Sequence, residues 1–217
     1  MGSINTVRKT LNEMGNHSHT TQKFQDDLLD YISAYATQGD CLIEVGCFRG
    51  GLTAQFAWLG KQLGQHVHVI DIDPGYMQIA GEAIEATSDT SNVSFHLCDF
   101  TTFVNGEGRD IRPSFALIDG DHYYDGVVAD IKALLSMKTR PAGVAFHDFS
   151  LRYADPDLSK IRVDLALTDT LGKDFPHRKL GEISREGGPL RTKPQDDNSH
   201  YHEVGYSEGV LVEFRKL

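Results

Sequence analysis

The sequence predicts an α/β fold: a doubly wound sheet, mostly parallel, finished by an antiparallel last strand. Three observations carry this. Short apolar runs without helical period alternate with amphipathic stretches from Cys41 to Phe146, the pattern of strand–helix–strand units. Turn signals such as Asp73-Pro74-Gly75 separate them,. After Leu171 two strand-like runs follow with no helix between them, and strands joined only by a loop are most simply antiparallel.

Each element has its own signal. Ile4, Val7, Leu11 and Met14 recur at helical spacing,. Phe24, Leu28, Leu29, Ile32 and Tyr35 do the same after Thr20-Thr21, whose hydroxyls suit an N-cap,. Cys41–Val45 is an apolar run ending at Gly46, a strand buried on both faces,. Leu52–Leu63 is a helix, His66–Ile72 a strand, Tyr76–Ala86 a helix and Val93–Cys98 a strand. Phe115–Ile118, the helix Val127–Met137 and Gly143–Phe146 continue the alternation. Leu158–Leu171 reads as a last helix, and His177–Ser184 with Gly209–Phe214 as the final strand pair. The polar stretch 185–207 between them is long for a compact domain,. Residues 1–38 therefore form a helical cap, and residues 39–217 the ligand-binding domain.

Composition narrows the function. Lys and Arg number 21 against 31 Asp and Glu, a net charge of −10. Such a chain is unsuited to a phosphate backbone or an anionic membrane surface, so neither nucleic acid nor membrane is expected as partner. No apolar run reaches the roughly 18 residues of a membrane span. Cys41, Cys47 and Cys98 are too few and scattered for a disulfide framework, which points to a reducing, cytoplasmic setting,.

In an open parallel sheet, ligands bind beyond the carboxyl ends of the strands. After the first strand comes Glu44-Val45-Gly46-Cys47-Phe48-Arg49-Gly50-Gly51. Its glycines permit close approach to a backbone at a helix start. It reads G-x-x-x-G-G and lacks the middle glycine of the dinucleotide pattern,. Asp71, at the end of the second strand, is placed to accept hydrogen bonds from ribose hydroxyls, whereas Asp73, before Pro74, is a turn residue,. Asp99 and Phe100 follow the third strand. Either they meet an adenine, or Asp99 caps a helix. The fourth strand ends in Asp119-Gly120-Asp121-His122 and the fifth in His147-Asp148. Asp119, His147 and Asp148 are expected to share one cation, with His122 as a nearby base.

Together these motifs resemble class I S-adenosylmethionine-dependent methyltransferases. The Asp-Gly-Asp-His segment with the following Tyr124–Ile131 is similar to a small subgroup related to macrolide-sugar O-methyltransferases and cephalosporin-hydroxylase-like proteins. The resemblance runs from Cys41 to Asp148. It implies a Rossmann-like seven-stranded sheet with an antiparallel last strand. It assigns cofactor binding to Glu44, Gly46, Phe48, Gly50, Gly51, Asp71, Ile72, Asp99, Phe100 and Asp119. It makes Asp119 and His122 catalytic, and it places a divalent metal (magnesium, manganese or zinc) at Asp119 and Asp148. His147 departs from the relatives, which carry an acid there, and imidazole suits zinc better than magnesium.

The expected activity is metal-assisted O-methylation of a small hydroxylated molecule, with a homodimer compatible with the first helices. A nicotinamide-dependent oxidoreductase is the alternative enzyme, disfavoured by the missing glycine. A non-catalytic cofactor-binding protein is the third reading, and the intact Asp119, His122 and Asp148 set speaks against it.

Overall fold

The computed structural model describes residues 3–16, 18–36, 38–88, 90–153, 158–182, 207–214 and 217. Its seven strands are β1 (Cys41–Val45), β2 (His66–Asp71), β3 (Val93–Leu97), β4 (Pro113–Ile118), β5 (Gly143–Phe146), β6 (His177–Glu182) and β7 (Ser207–Val212). They lie in the order β3-β2-β1-β4-β5-β7-β6. β1 to β5 are parallel, and β7 is antiparallel to both β5 and β6. The last strand is thus inserted antiparallel, as the sequence predicts. The stretch 185–206, with His200 and His202, lies outside the described residues.

The α-helices among the described residues are α1 (Ile4–Met14), α2 (Gln22–Tyr35), α3 (Gly51–Leu63), α4 (Pro74–Thr87), α5 (Phe100–Asn105), α6 (Tyr124–Ser136) and α7 (Val163–Leu171). Apolar side chains of α5, α6 and α7 fill one face of the sheet, and those of α2, α3 and α4 the other. Because both faces are covered, β1, β4 and β5 are buried at every position, and so they read as unbroken apolar runs. α1 sits outside this layer, with Val7 and Leu11 against Ala54, Ala57, Ala83 and Ile84.

α3 lies between the sheet and α1, with α2 beside it, so its polar side chains need internal partners,. Gln55 supplies them. Its amide donates to Gln25 Oε1 at 2.9 Å, and its carbonyl accepts from Arg8 Nε at 2.8 Å. Arg8 also pairs with Asp26 at 2.7 Å. This network seats the two N-terminal helices on α3.

Two elements differ from the sequence reading. α5 is one and a half turns long, with Asp99 as its N-cap, too short to give a period. The last helix starts at Val163, not Leu158. Residues before it dock instead on the loop after β4: Ile161 bridges Tyr123, and Arg162 N–H donates to His122 O at 2.9 Å.

β2 and β3 carry a row of imidazoles. His66 Nε2 lies 2.9 Å from Ser94 Oγ, His68 Nδ1 lies 3.0 Å from His96 Nε2, and His96 Nδ1 lies 2.8 Å from Glu107. Burial, with His66 and His96 alongside, lowers His68 to about 4. The folded state therefore resists a proton that the unfolded chain accepts below about pH 6.5, so stability falls as pH drops from there toward 4. His68→Gln is expected to flatten this fall. Melting temperatures of both proteins from about pH 7 to about pH 4.5 check it; parallel curves would remove His68 as the cause.

Candidate active site

The strand order reverses at β1 and β4, the neighbouring pair from which the chain winds outward both ways, and a crevice opens at such a point. Gly46 and Asp119 close the two strands there. Gly46 N–H donates to Ile70 O at 2.9 Å, and Asp119 N–H to Val45 O at 2.8 Å. Gly46 has φ +87°, and a Cβ on it would run into the Asp119 carbonyl. Glycine is required here by both conformation and space. Gly50, at φ +78°, is packed against Ala80, whose Cα would lie 2.5 Å from an added Cβ. Gly51 opens α3. The loop between them holds Phe48 at φ +43°, with its ring 4.3 Å from His19 and 5.1 Å from Tyr76.

The acids around this loop have separate roles. Asp71 stands at its side, accepting from Cys47 N–H at 2.8 Å and Asp73 N–H at 2.9 Å. Asp73 caps α4 through Gly75 N–H at 2.7 Å. Ile72, between them, is 74% exposed. Glu44 lies beneath the loop, buried, and its Oε2 has no hydrogen-bond partner among the described residues. Burial pushes it up to about 8; the nearby Thr53 hydroxyl opposes this, and Asp119 and Asp71 add to it. Asp99 accepts from Thr102 N–H at 2.7 Å, and that bond holds its carboxyl below the usual range.

Phe100 is 1% exposed and belongs to the core beside Phe103. The expected stacking of its ring on an adenine is therefore not available in this conformation. As the first residue of α5, it turns inward while Asp99 takes the helix cap.

The fourth- and fifth-strand clusters do converge. His122 Nδ1 lies 3.1 Å from Asp148 Oδ2. His147 Nδ1 lies 2.8 Å from Asp119 Oδ1 and 3.2 Å from Asp148 Oδ1. Its Nε2 lies 3.1 Å from Glu208 Oε1. Each ring nitrogen of His147 therefore faces a carboxyl oxygen. Burial alone would depress this ring, but Asp119, Asp148 and Glu208 outweigh it and raise it well above an ordinary histidine.

This corrects the expected metal set. His147 Nδ1 lies against both carboxyl groups and Nε2 against Glu208, and the ring is outside the convergent donor group. The donor atoms that lie within 4.8 Å of one another belong to Asp119, His122 and Asp148.

Glu208 and Thr21 are the participants that sequence reasoning missed. An acid flanked by Ser207 and Gly209 at the mouth of an apolar strand was the available signal. Behind the 148–153 loop lies an open cavity of about 360 Å³. It contains none of the expected site residues, and Asp164 there is tied to Arg152 at 2.8 Å and Tyr153 at 2.9 Å.

Residues 43–149 match the family described as a methyltransferase domain. This stretch is a class I S-adenosylmethionine-dependent methyltransferase domain. No curated protein sequence matches the chain. Among solved structures, an O-methyltransferase from Bacillus cereus in complex with SAH is 14% identical, with a TM-score of 0.64 over 97% of this chain and 90% of that one. TomG, an O-methyltransferase from Streptomyces achromogenes involved in tomaymycin synthesis and bound to SAM, is 13% identical. It covers 96% of this chain and 87% of its own, with a TM-score of 0.60. No helix among the described residues of the methyltransferase is long and apolar enough to cross a membrane.

Glu44 yields a prediction. A carboxyl whose folded value is raised from the ordinary range to about 8 costs stability as pH rises between the two,. Glu44→Gln, a neutral isostere, is expected to raise the melting temperature near pH 8 more than near pH 5. A stabilisation of the same size at both would place the effect elsewhere.

Proposed function

We propose that this methyltransferase transfers a methyl group from S-adenosylmethionine to a hydroxyl of a small molecule, with His122 as the base. The observation that carries this is the His122–Asp148 pair beside the Gly46–Asp119 crevice. The carboxylate faces Nδ1, so Nδ1 carries the hydrogen and Nε2 keeps the lone pair. The side chain of His122 is 33% exposed, so an acceptor can reach it. Asp148 thus orients the ring, and His122 takes the hydroxyl proton as the methyl group moves.

The residues around the glycine loop fit the cofactor. The unpartnered Glu44 Oε2 awaits a donor, which the methionine ammonium provides. Gly46, Gly50 and Gly51 leave room against the backbone, with Phe48 on the rim. Asp71 takes the ribose, the exposed Ile72 lies along the adenine, and Asp99 contacts its edge. When bound, the cofactor supplies a methyl group activated by a sulfonium, and Asp119 helps align the acceptor for an in-line displacement. Residues 1–38 act as a helical cap on the 39–217 domain, and the setting is the cytoplasm, where Cys41, Cys47 and Cys98 remain thiols,.

One observation favours a second reading. The donor atoms of Asp119, His122 and Asp148 lie close enough to hold one divalent cation. Two carboxylates and an imidazole suit manganese, zinc or iron better than magnesium. Such an ion lowers the pKa of a bound hydroxyl. His122 would then be a ligand and not the base, so the two readings exclude each other. Turnover that survives a strong chelator selects the base; loss restored by manganese or zinc selects the ion.

Two variants test the assignment. His122→Ala is expected to lower turnover about 100-fold or more, with cofactor affinity unchanged, in an assay over catechols, sugars and hydroxylated aromatics. A near wild-type rate on any accepted substrate removes His122 from the mechanism. Asp71→Ala is expected to weaken S-adenosylmethionine binding by about 1–3 kcal/mol in calorimetry. Equal affinity would detach Asp71 from the ribose.

A further inference from the structure

Glu208 is fully buried on β7, 0% exposed. Its Oε1 accepts from Thr21 N–H at 2.8 Å and lies 3.1 Å from His147 Nε2. Its Oε2 accepts from the Thr21 hydroxyl. Thr21 Oγ1 in turn accepts from Phe24 N–H at 3.2 Å, capping α2. The Phe24 ring meets the His147 ring edge-on, centroids 5.0 Å apart.

Space for this arrangement is cleared by two glycines. A Cβ on Gly181 would lie 2.8 Å from Glu208 Cβ and 3.0 Å from Phe24 Cβ. One on Gly209 would lie 2.5 Å from the Phe24 ring and 2.6 Å from Phe146 O. The chain of contacts runs from the cap of α2 through Glu208 and His147 to Asp119 and Asp148, and ends at His122.

We infer that Glu208 is a positioning residue: it fixes the His147 ring, and through that ring the two carboxylates beside His122, while anchoring the first turn of α2 at the same point. A carboxylate is the one side chain that meets every demand here. Its partners, Thr21 N–H, Thr21 O–H and His147 Nε2–H, are all donors, and it has only acceptor sites to offer. Glutamine has the same shape but replaces one acceptor oxygen by a donor and removes the charge, so its bond to His147 Nε2–H is weaker. Without Glu208 the ring is held from one side only, and Asp148 loses the fixed acceptor geometry that orients His122.

The effect on turnover rests on the methyl-transfer reading; the effect on the ring does not. The test therefore has two arms. In protein labelled with ¹⁵N-histidine and free of cofactor, His147 is expected to show a hydrogen at Nε2, slow to exchange with water. His147→Gln assigns the signals. In Glu208→Gln the Nε2 hydrogen should exchange at least about tenfold faster. Thr21→Val, which keeps Glu208 but removes the hydroxyl, should move it in the same direction by less.

In the second arm, kcat of Glu208→Gln should fall at least about tenfold, with acceptor KM and S-adenosylhomocysteine affinity within about twofold. A side chain that only filled space would lower the melting temperature and leave these readings alone. Wild-type exchange in Glu208→Gln overturns the positioning of the ring. Faster exchange with unchanged kcat overturns its bearing on His122. A wild type inactive on every acceptor, but with the slow Nε2 hydrogen lost in the variant, supports the ring positioning and removes only the methyl-transfer reading. Should Glu208→Gln not fold, Glu208→Asp, shorter by one methylene, carries the same two arms.

Discussion

A buried imidazole ring held among three carboxyl groups organises this molecule. His147 is 2% exposed, and its ring nitrogens face protein atoms. Asp119 on one strand end, Asp148 on the next and Glu208 on the antiparallel strand must therefore all stay in place. Isolated charge in such a setting is strongly disfavoured, and removing one partner of a buried ionic group costs far more than the group gains over an apolar packing. The arrangement is thus a constraint on shape more than a source of stability. It binds the parallel half of the sheet to the inserted strand at the edge of the crevice.

The second constraint is the approach of β1 to β4. Gly46 can pass beneath the Asp119 carbonyl only because it has no side chain. That contact sets the glycine loop, with its cradle and its buried Glu44, beside the Asp119–His122 turn. The glycine loop and the Asp119–His122 turn are consequently in direct contact through the backbone.

Much of this was legible in the residues. The strands stood out because burial on both faces makes each of them a continuous apolar run, and the order of helices and strands then fixed the parallel winding. The strand-end rule brought Asp71, Asp119, His122 and Asp148 to one edge. The pattern could not say which way a side chain turns once there. Phe100 and Asp99 are neighbours, yet one enters the core and the other caps a helix, a choice made by the direction of α5. His147 lies outside the convergent donor group, its Nδ1 against both aspartates and its Nε2 against Glu208, 61 residues away. Glu208 itself carries no local motif. Its meaning comes from Thr21, on the opposite flank of the sequence.

That separation bears on how the protein forms. Thr21 and Glu208 are 187 positions apart, about as non-local a contact as this chain permits. Loop closure over such a span is entropically costly, and contacts of this kind form late relative to local ones. During synthesis the glycine loop and both central strand ends leave the ribosome well before β7. Until that strand slides between β5 and β6, His147 has no acceptor on its far side and α2 has no anchor for its first turn. The crevice therefore takes its final form only with β7, and loss of that strand would strike the centre of the molecule and not its edge.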